Sequence, residues 1–157
     1  MKRISSTIVA LTLLFACSTV RADAASLDEA RMLVAQTGLG KKLPSLALLT
    51  AKSTTTYATI ADKLGNASAN SALSDEINAL LPRYQPKWDE SLARAYEKSF
   101  SEEELASLVS QGRASQYAPE VKERQAGIGR YMQANAQPIL VALVSDALKA
   151  TLSKYVQ

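Results

Sequence analysis

Histidine is absent from the 157 residues, and cysteine occurs once, at Cys17. Without histidine there is no Ser-His-Asp or Cys-His machinery, no His-ligated zinc, and no side chain whose ordinary pKa suits a general base near neutrality. A single cysteine excludes zinc ribbons, iron–sulfur clusters and an intrachain disulfide. Aromatic residues make up 6% of the chain, too few for a typical β-sandwich core. Neither charge sign dominates, with 18 Lys+Arg against 15 Asp+Glu, so there is no basic stripe of the kind that binds nucleic acid. No stretch alternates apolar and polar residues long enough to mark a strand, and no internal repeat is present. Gly38-Leu39-Gly40-Lys41-Lys42 has the composition of a helix-end turn rather than of a strand–loop–helix phosphate cradle. These absences point away from enzymes with well-known motifs, and no cofactor is expected.

The first 24 residues form an address. Lys2 and Arg3 give a positive start, Ile8 to Cys17 is uncharged and mostly apolar, and Ala22-Asp23-Ala24 offers the small-x-small pattern of signal peptidase cleavage. The apolar run is well short of the ~20 residues a transmembrane helix needs, so this reads as a cleavable export signal and not as an anchor. A second processing route is lipid attachment at Cys17, where Ala16 fits and the bulky Phe15 does not. Cleavage after Ala24 leaves residues 25–157, nearly neutral and cysteine-free, as the working domain in a periplasmic or secreted setting. Membrane attachment would then require lipidation at Cys17.

Within residues 25–157 the punctuation is helical throughout. Ser26 and Glu29 can form a capping box for a helix over 26–37, which Gly38 ends. Pro44 suits the first turn of a second helix, with Leu46, Leu49 and Leu64 in its stripe, the threonine-rich Ser53–Thr56 stretch as its weak part and Gly65-Asn66 as its stop. Asn66 to Ser74 reads as a loop, followed by a short helix near 74–81 ended by Pro82. Pro86 opens another helix that carries Trp88, Leu92, Tyr96 and Phe100 at steps of four, which stacks them on one face. Ser101-Glu102-Glu103-Glu104 is a capping box. Its three carboxylates lie about 100° apart around the axis and cannot converge on one metal ion. Gly112 closes that helix, Pro119 opens the next, and Pro138 must kink or divide it. Ile139 to Tyr155 is amphipathic, with Leu140, Leu143, Val144, Leu148 and Tyr155 on the apolar side, and its polar residues exclude a membrane span. Thr151-Leu152-Ser153-Lys154 faintly echoes a serine–lysine motif and reads as solvated surface. The fold expected is all-α, a single domain of about five to six helices in a small bundle.

The segment Trp88 to Leu108, WDESLARAYEKSFSEEELASL, resembles the bacterial exported family called domain of unknown function 2059. The resemblance rests on Tyr96 and Phe100 at a helix end, Ser101 as cap, and the pair Glu104-Leu105. Members of that family often continue with an aromatic pair and a Ser-Pro-x-Gly turn; Leu108 to Gly112 and Ser115 to Pro119 depart from that pattern. The resemblance implies export and a mostly helical fold, and it carries no activity or catalytic residue.

Three functions follow as expectations. The first is a non-catalytic interaction module for a protein partner in the cell envelope, or for a second copy. Its surface would be the aromatic face of Trp88, Leu92, Tyr96 and Phe100 and the terminal face of Leu140, Leu143, Val144, Leu148 and Tyr155. The second is a small-molecule or lipid carrier with a cavity between those two helices. The third is an enzyme using carboxylate or lysine chemistry.

Overall fold

One helix organises the molecule. In the computed structural model, which describes residues 19–155, α4 (Asn66–Glu97) runs for 32 residues, about 48 Å at 1.5 Å per residue, and touches α1, α2, α3, α6 and α7. Its buried positions Ala69, Leu73, Ile77, Tyr84, Trp88, Leu92 and Tyr96 recur mostly at steps of four, so one stripe faces inward from end to end. Around it lie α1 (Thr19–Thr37), α2 (Leu43–Lys52), α3 (Thr55–Leu64), α5 (Glu102–Gln111), α6 (Ala118–Asn135) and α7 (Gln137–Tyr155). Short 3₁₀ turns occupy Leu39–Lys42 and Gly112–Ala114, and no strand occurs among the described residues. The all-α, single-domain expectation holds, with seven α-helices among the described residues in place of five or six.

The stripe on α4 serves two hydrophobic clusters. Its first two-thirds packs with α2, α3 and α7: Leu43, Ala47, Ile60, Leu73, Ile77, Trp88, Leu143, Val144 and Leu148 belong to one cluster. Its last third packs with α1, α5 and α6 through Ala30, Leu33, Val34, Leu92, Tyr96, Phe100, Leu105, Leu108 and Ile128. Polar stitches fix the angles between elements. The Tyr84 hydroxyl donates to Asp146 Oδ2 at 2.6 Å, tying α4 to α7. Arg31 on α1 donates to both Glu90 carboxylate oxygens on α4, at 2.8 and 2.9 Å.

Several boundaries differ from expectation, each for a physical reason. The apolar run Ile8 to Cys17, and with it the lipidation candidate, lies outside the described residues. The described part of α1 runs from Thr19 to Thr37, so Ser26 sits inside a helix instead of capping it. Within the stretch Ser53–Thr56 the chain breaks at Ser53 and Thr54, and Thr55 and Thr56 begin α3. Thr54 adopts extended backbone and its hydroxyl accepts from the Tyr57 N–H at 3.1 Å, which makes it the cap of α3. The supposed loop 66–74 is the first part of α4, and Pro82 and Pro86 are interior to that helix. Both prolines are exposed, and so is Asn78, whose carbonyl loses its helical donor to Pro82; water can satisfy it. Burial of the stripe on either side outweighs the local cost.

The capping box of α5 forms as read: Glu104 N–H donates to Ser101 Oγ, and Ser101 N–H donates to Glu104 Oε2 at 2.7 Å. The division at Pro138 also forms, with Ala136 as hinge residue and Pro138 in the first turn of α7.

Candidate functional site

The residues singled out in sequence are mostly interior. Trp88, Leu92, Tyr96 and Phe100 are each at most 9% exposed, as are Leu143, Val144 and Leu148. Leu140 is half-buried against the first cluster, and only Tyr155 reaches the surface, with Lys154 Nζ 5.1 Å from its ring centre. Trp88 meets Leu143 and Val144 in one packed cluster, so side chains occupy the space between α4 and α7 where a carrier cavity was expected. The seven buried members therefore offer no docking face in this structure. Thr151 is fully buried and donates to the Ala147 carbonyl, which corrects its reading as surface; Lys154 on the same turn pairs with Glu76 at 3.0 Å.

A hollow does exist near the C-terminal end of α4. It is a cleft of about 250 Å³ bordered by Leu33 and Thr37 at the end of α1, Leu39 in the following turn, Tyr96 of α4, Leu108 of α5, Gly112 and Arg113 in the α5–α6 turn, and Ala118 and Val121 of α6. Four helices reach it because of how their ends are built. Gly38 adopts φ +64° and swings the chain from α1 into Leu39. Gly112 adopts φ +56° and ends α5, placing Arg113 beside the opening. Ser115, 4% exposed, fixes that turn: its hydroxyl lies 2.8 Å from Ser107 Oγ and accepts from the Tyr117 N–H at 3.2 Å.

The lining is apolar apart from three groups. Tyr96 is 5% exposed and stacks on Phe100 with ring centres 5.8 Å apart. Its hydroxyl bonds to no described residue. Burial raises the Tyr96 phenol above the usual tyrosine range, so it stays protonated at neutral pH. The Thr37 hydroxyl donates to the Leu33 carbonyl and keeps its lone pairs. Arg113 is exposed and pairs with no described carboxylate. Of the residues chosen from sequence, only Tyr96 belongs to this cleft. Leu33, Leu39, Leu108 and Arg113 come together from four separate elements, and no periodicity in the chain announces that meeting.

A second hollow, of about 480 Å³ and widely open, is lined by Lys52, Tyr57, Asn66, Ala67 and Asn70. Asn70 Oδ1 nearby is buried without a hydrogen-bond partner. The acidic cluster at the start of α5 is used structurally: Glu104 binds Arg124, and Glu102 and Glu103 face solvent. Among the described residues no group of three His, Cys, Asp or Glu side chains could hold a metal ion, and no helix is long and apolar enough to cross a membrane.

In comparisons with known proteins, no family model, no curated protein and no solved structure matches this chain.

Proposed function

We propose that this chain is an exported, non-catalytic helical binding module whose ligand is a small molecule held in the cleft beside Tyr96. The observation that carries the reading is a tyrosine, 5% exposed and with a hydroxyl bonded to no described residue, in the wall of an apolar hollow bordered by four helices. An apolar enclosure with a few polar groups at fixed places is the usual form of a small-molecule site. The export part rests on the positive start, the apolar run and Ala22-Asp23-Ala24 of the first 24 residues, and one further fact supports the non-catalytic part. The working domain lacks histidine and cysteine, the side chains most used as base and nucleophile near neutrality. The resemblance of Trp88 to Leu108 to domain of unknown function 2059 belongs to the same proposal and adds no chemistry to it.

A protein partner is the second reading, and one observation favours it. Leu46 and Leu49 stand three residues apart on α2 and are 38% and 69% exposed, an apolar pair on a solvent face.

The test is to express the full chain in a bacterial host, recover it from the envelope, determine its first residue, and analyse it by native and denaturing mass spectrometry. A chain starting at Ala25 with a small molecule released on denaturation supports the proposal, and loss of that molecule in V121F, which fills the cleft, assigns the place. Retention in the cytoplasm with residues 1–24 intact would overturn export. A ligand-free protein that crosslinks to an envelope protein, with L49E abolishing the crosslink, would favour the second reading.

A further inference from the structure

Resting on the cleft as a binding site, we infer that its ligand is a small monocarboxylate with an apolar body: a medium-chain fatty acid or a single-ring aryl acid. Three features of the lining select this class.

Size is the first. The cleft measures about 250 Å³, below the roughly 300–1,000 Å³ typical of drug-sized ligands. A diacyl lipid is far too large, and so is a polypeptide segment. A chain of several methylenes, or one ring with a short tail, fits.

Polarity is the second. Leu33, Leu39, Leu108, Ala118 and Val121 present only carbon to the interior, so the body of the ligand must be apolar for its burial to be favourable. A sugar or an amino acid would bring hydroxyl or ammonium groups that this wall cannot satisfy.

Charge is the third. The only charged residue lining the cleft is Arg113, and neither an ion pair nor a hydrogen bond to any described residue engages it. An unengaged guanidinium at the border of an apolar hollow is complementary to one carboxylate, which it can hold through two parallel N–H···O bonds. The acidic residues of α5 do not compete: Glu102, Glu103 and Glu104 occupy its first turn, whereas Arg113 follows its last. The Tyr96 hydroxyl supplies a second donor, and the Thr37 oxygen can accept only from a ligand that carries a proton. A neutral alcohol would use Tyr96 alone, and a cation would be repelled by Arg113.

The experiment is calorimetric titration of the full chain with octanoate, 1-octanol and octylamine, repeated on R113Q, Y96F and K52Q. Arg113 is exposed and pairs with no described residue, so R113Q should leave the fold unchanged, and a circular dichroism melt checks this. The expected result is saturable binding of octanoate at least about ten-fold tighter than that of octanol, and none of octylamine. R113Q should erase the advantage of octanoate and keep octanol binding. Y96F should weaken both, and K52Q, in the other hollow, should change neither. Equal affinities for octanoate and octanol in the unsubstituted protein would overturn the carboxylate assignment while leaving the cleft as a binding site. Loss of the octanoate preference in K52Q instead of R113Q would overturn it as well, placing the anion elsewhere. Absence of binding by all three probes up to about 10 mM would sink both this inference and the small-molecule reading.

Discussion

Arg124 on α6 holds the Glu104 carboxylate with two hydrogen bonds of 2.9 Å while lying 4.5 Å above the centre of the Phe100 ring. The same guanidinium donates to the Ser99 carbonyl at 2.6 Å and to Glu120 on its own helix. One side chain thus joins the end of α4, the cap of α5 and the body of α6.

The hydrogen bonds from Arg124, with those at Ser101, hold the Glu104 carboxyl below the usual carboxylate range. A group whose pKa is lower in the folded chain stabilises it fully above the unfolded pKa, and that contribution disappears as pH falls through the folded value. E104Q should therefore lower the urea midpoint at neutral pH, and the gap to the unsubstituted protein should narrow toward about pH 3. S101A removes the other half of the box and should cost about 1 kcal/mol at either pH. Urea unfolding at the two pH values checks both; a gap for E104Q independent of pH would show that Glu104 acts only as a neutral cap.

Gly40 lies under α4 with no room for a side chain. Gln85 Nε2 donates to the Gly40 carbonyl at 2.9 Å and to Asp89 Oδ1 at 2.8 Å, and a Cβ on residue 40 would collide with that same Asp89 oxygen. G40A should destabilise the protein by about 1–3 kcal/mol. Because the colliding atom belongs to one side chain, D89A should recover part of the loss in the double variant, and a thermal double-mutant cycle would detect this coupling. Additive effects would mean that the turn itself, and not Asp89, resists the methyl group.

Thr54 caps the start of α3 with its hydroxyl. T54A leaves the Tyr57 N–H without that acceptor and should lower stability by about 1 kcal/mol, whereas T54S should be close to neutral. T59A, one turn along α3 and exposed, serves as control and should shift the urea midpoint little.

Asn70 has a buried oxygen with no partner, and it sits within α4, where alanine is the better helix former. N70A should raise the unfolding free energy by about 1 kcal/mol. The Asn70 main-chain carbonyl, which accepts from Ser74 Oγ at 2.7 Å, is unaffected by the change. A fall in stability would show that the amide makes a contact whose loss outweighs the orphaned oxygen.

The parts of the fold legible in sequence are those decided within a few residues. Ser101 and Glu104 satisfy each other across three positions, Gly112 takes a left-handed turn that other residues resist, and Pro138 cannot donate inside a helix. The parts missed are those where distant packing overrides a local signal. Pro82 looks like a stop and Pro86 like a fresh start, yet Ile77, Tyr84, Trp88 and Leu92 have partners on α1, α2 and α7, and burial carries one helix through both. Thr54 reads as a poor helix residue in a window and as a good cap only once the chain turns there. The candidate site shows the same division. Tyr96 was visible as a large side chain in an aromatic row, but its role as a wall of the cleft depends on where α1, α5 and α6 end. Arg113 carries no local signature, because a missing partner is a property of the assembled surface.

Trp88 belongs to one hydrophobic cluster and Leu92 to the other, a single helical turn apart on the same rod. Each added residue turns the rest of an α-helix by about 100° and advances it 1.5 Å. Inserting one alanine between these two positions would keep helix propensity, yet it would turn the last part of α4 out of the cluster it shares with α1, α5 and α6. The spacing between the clusters is thus a matter of phase as much as distance. Insertions and deletions in this protein should survive at the turns around Gly65 and Gly112, and not along the shaft that joins its two interiors.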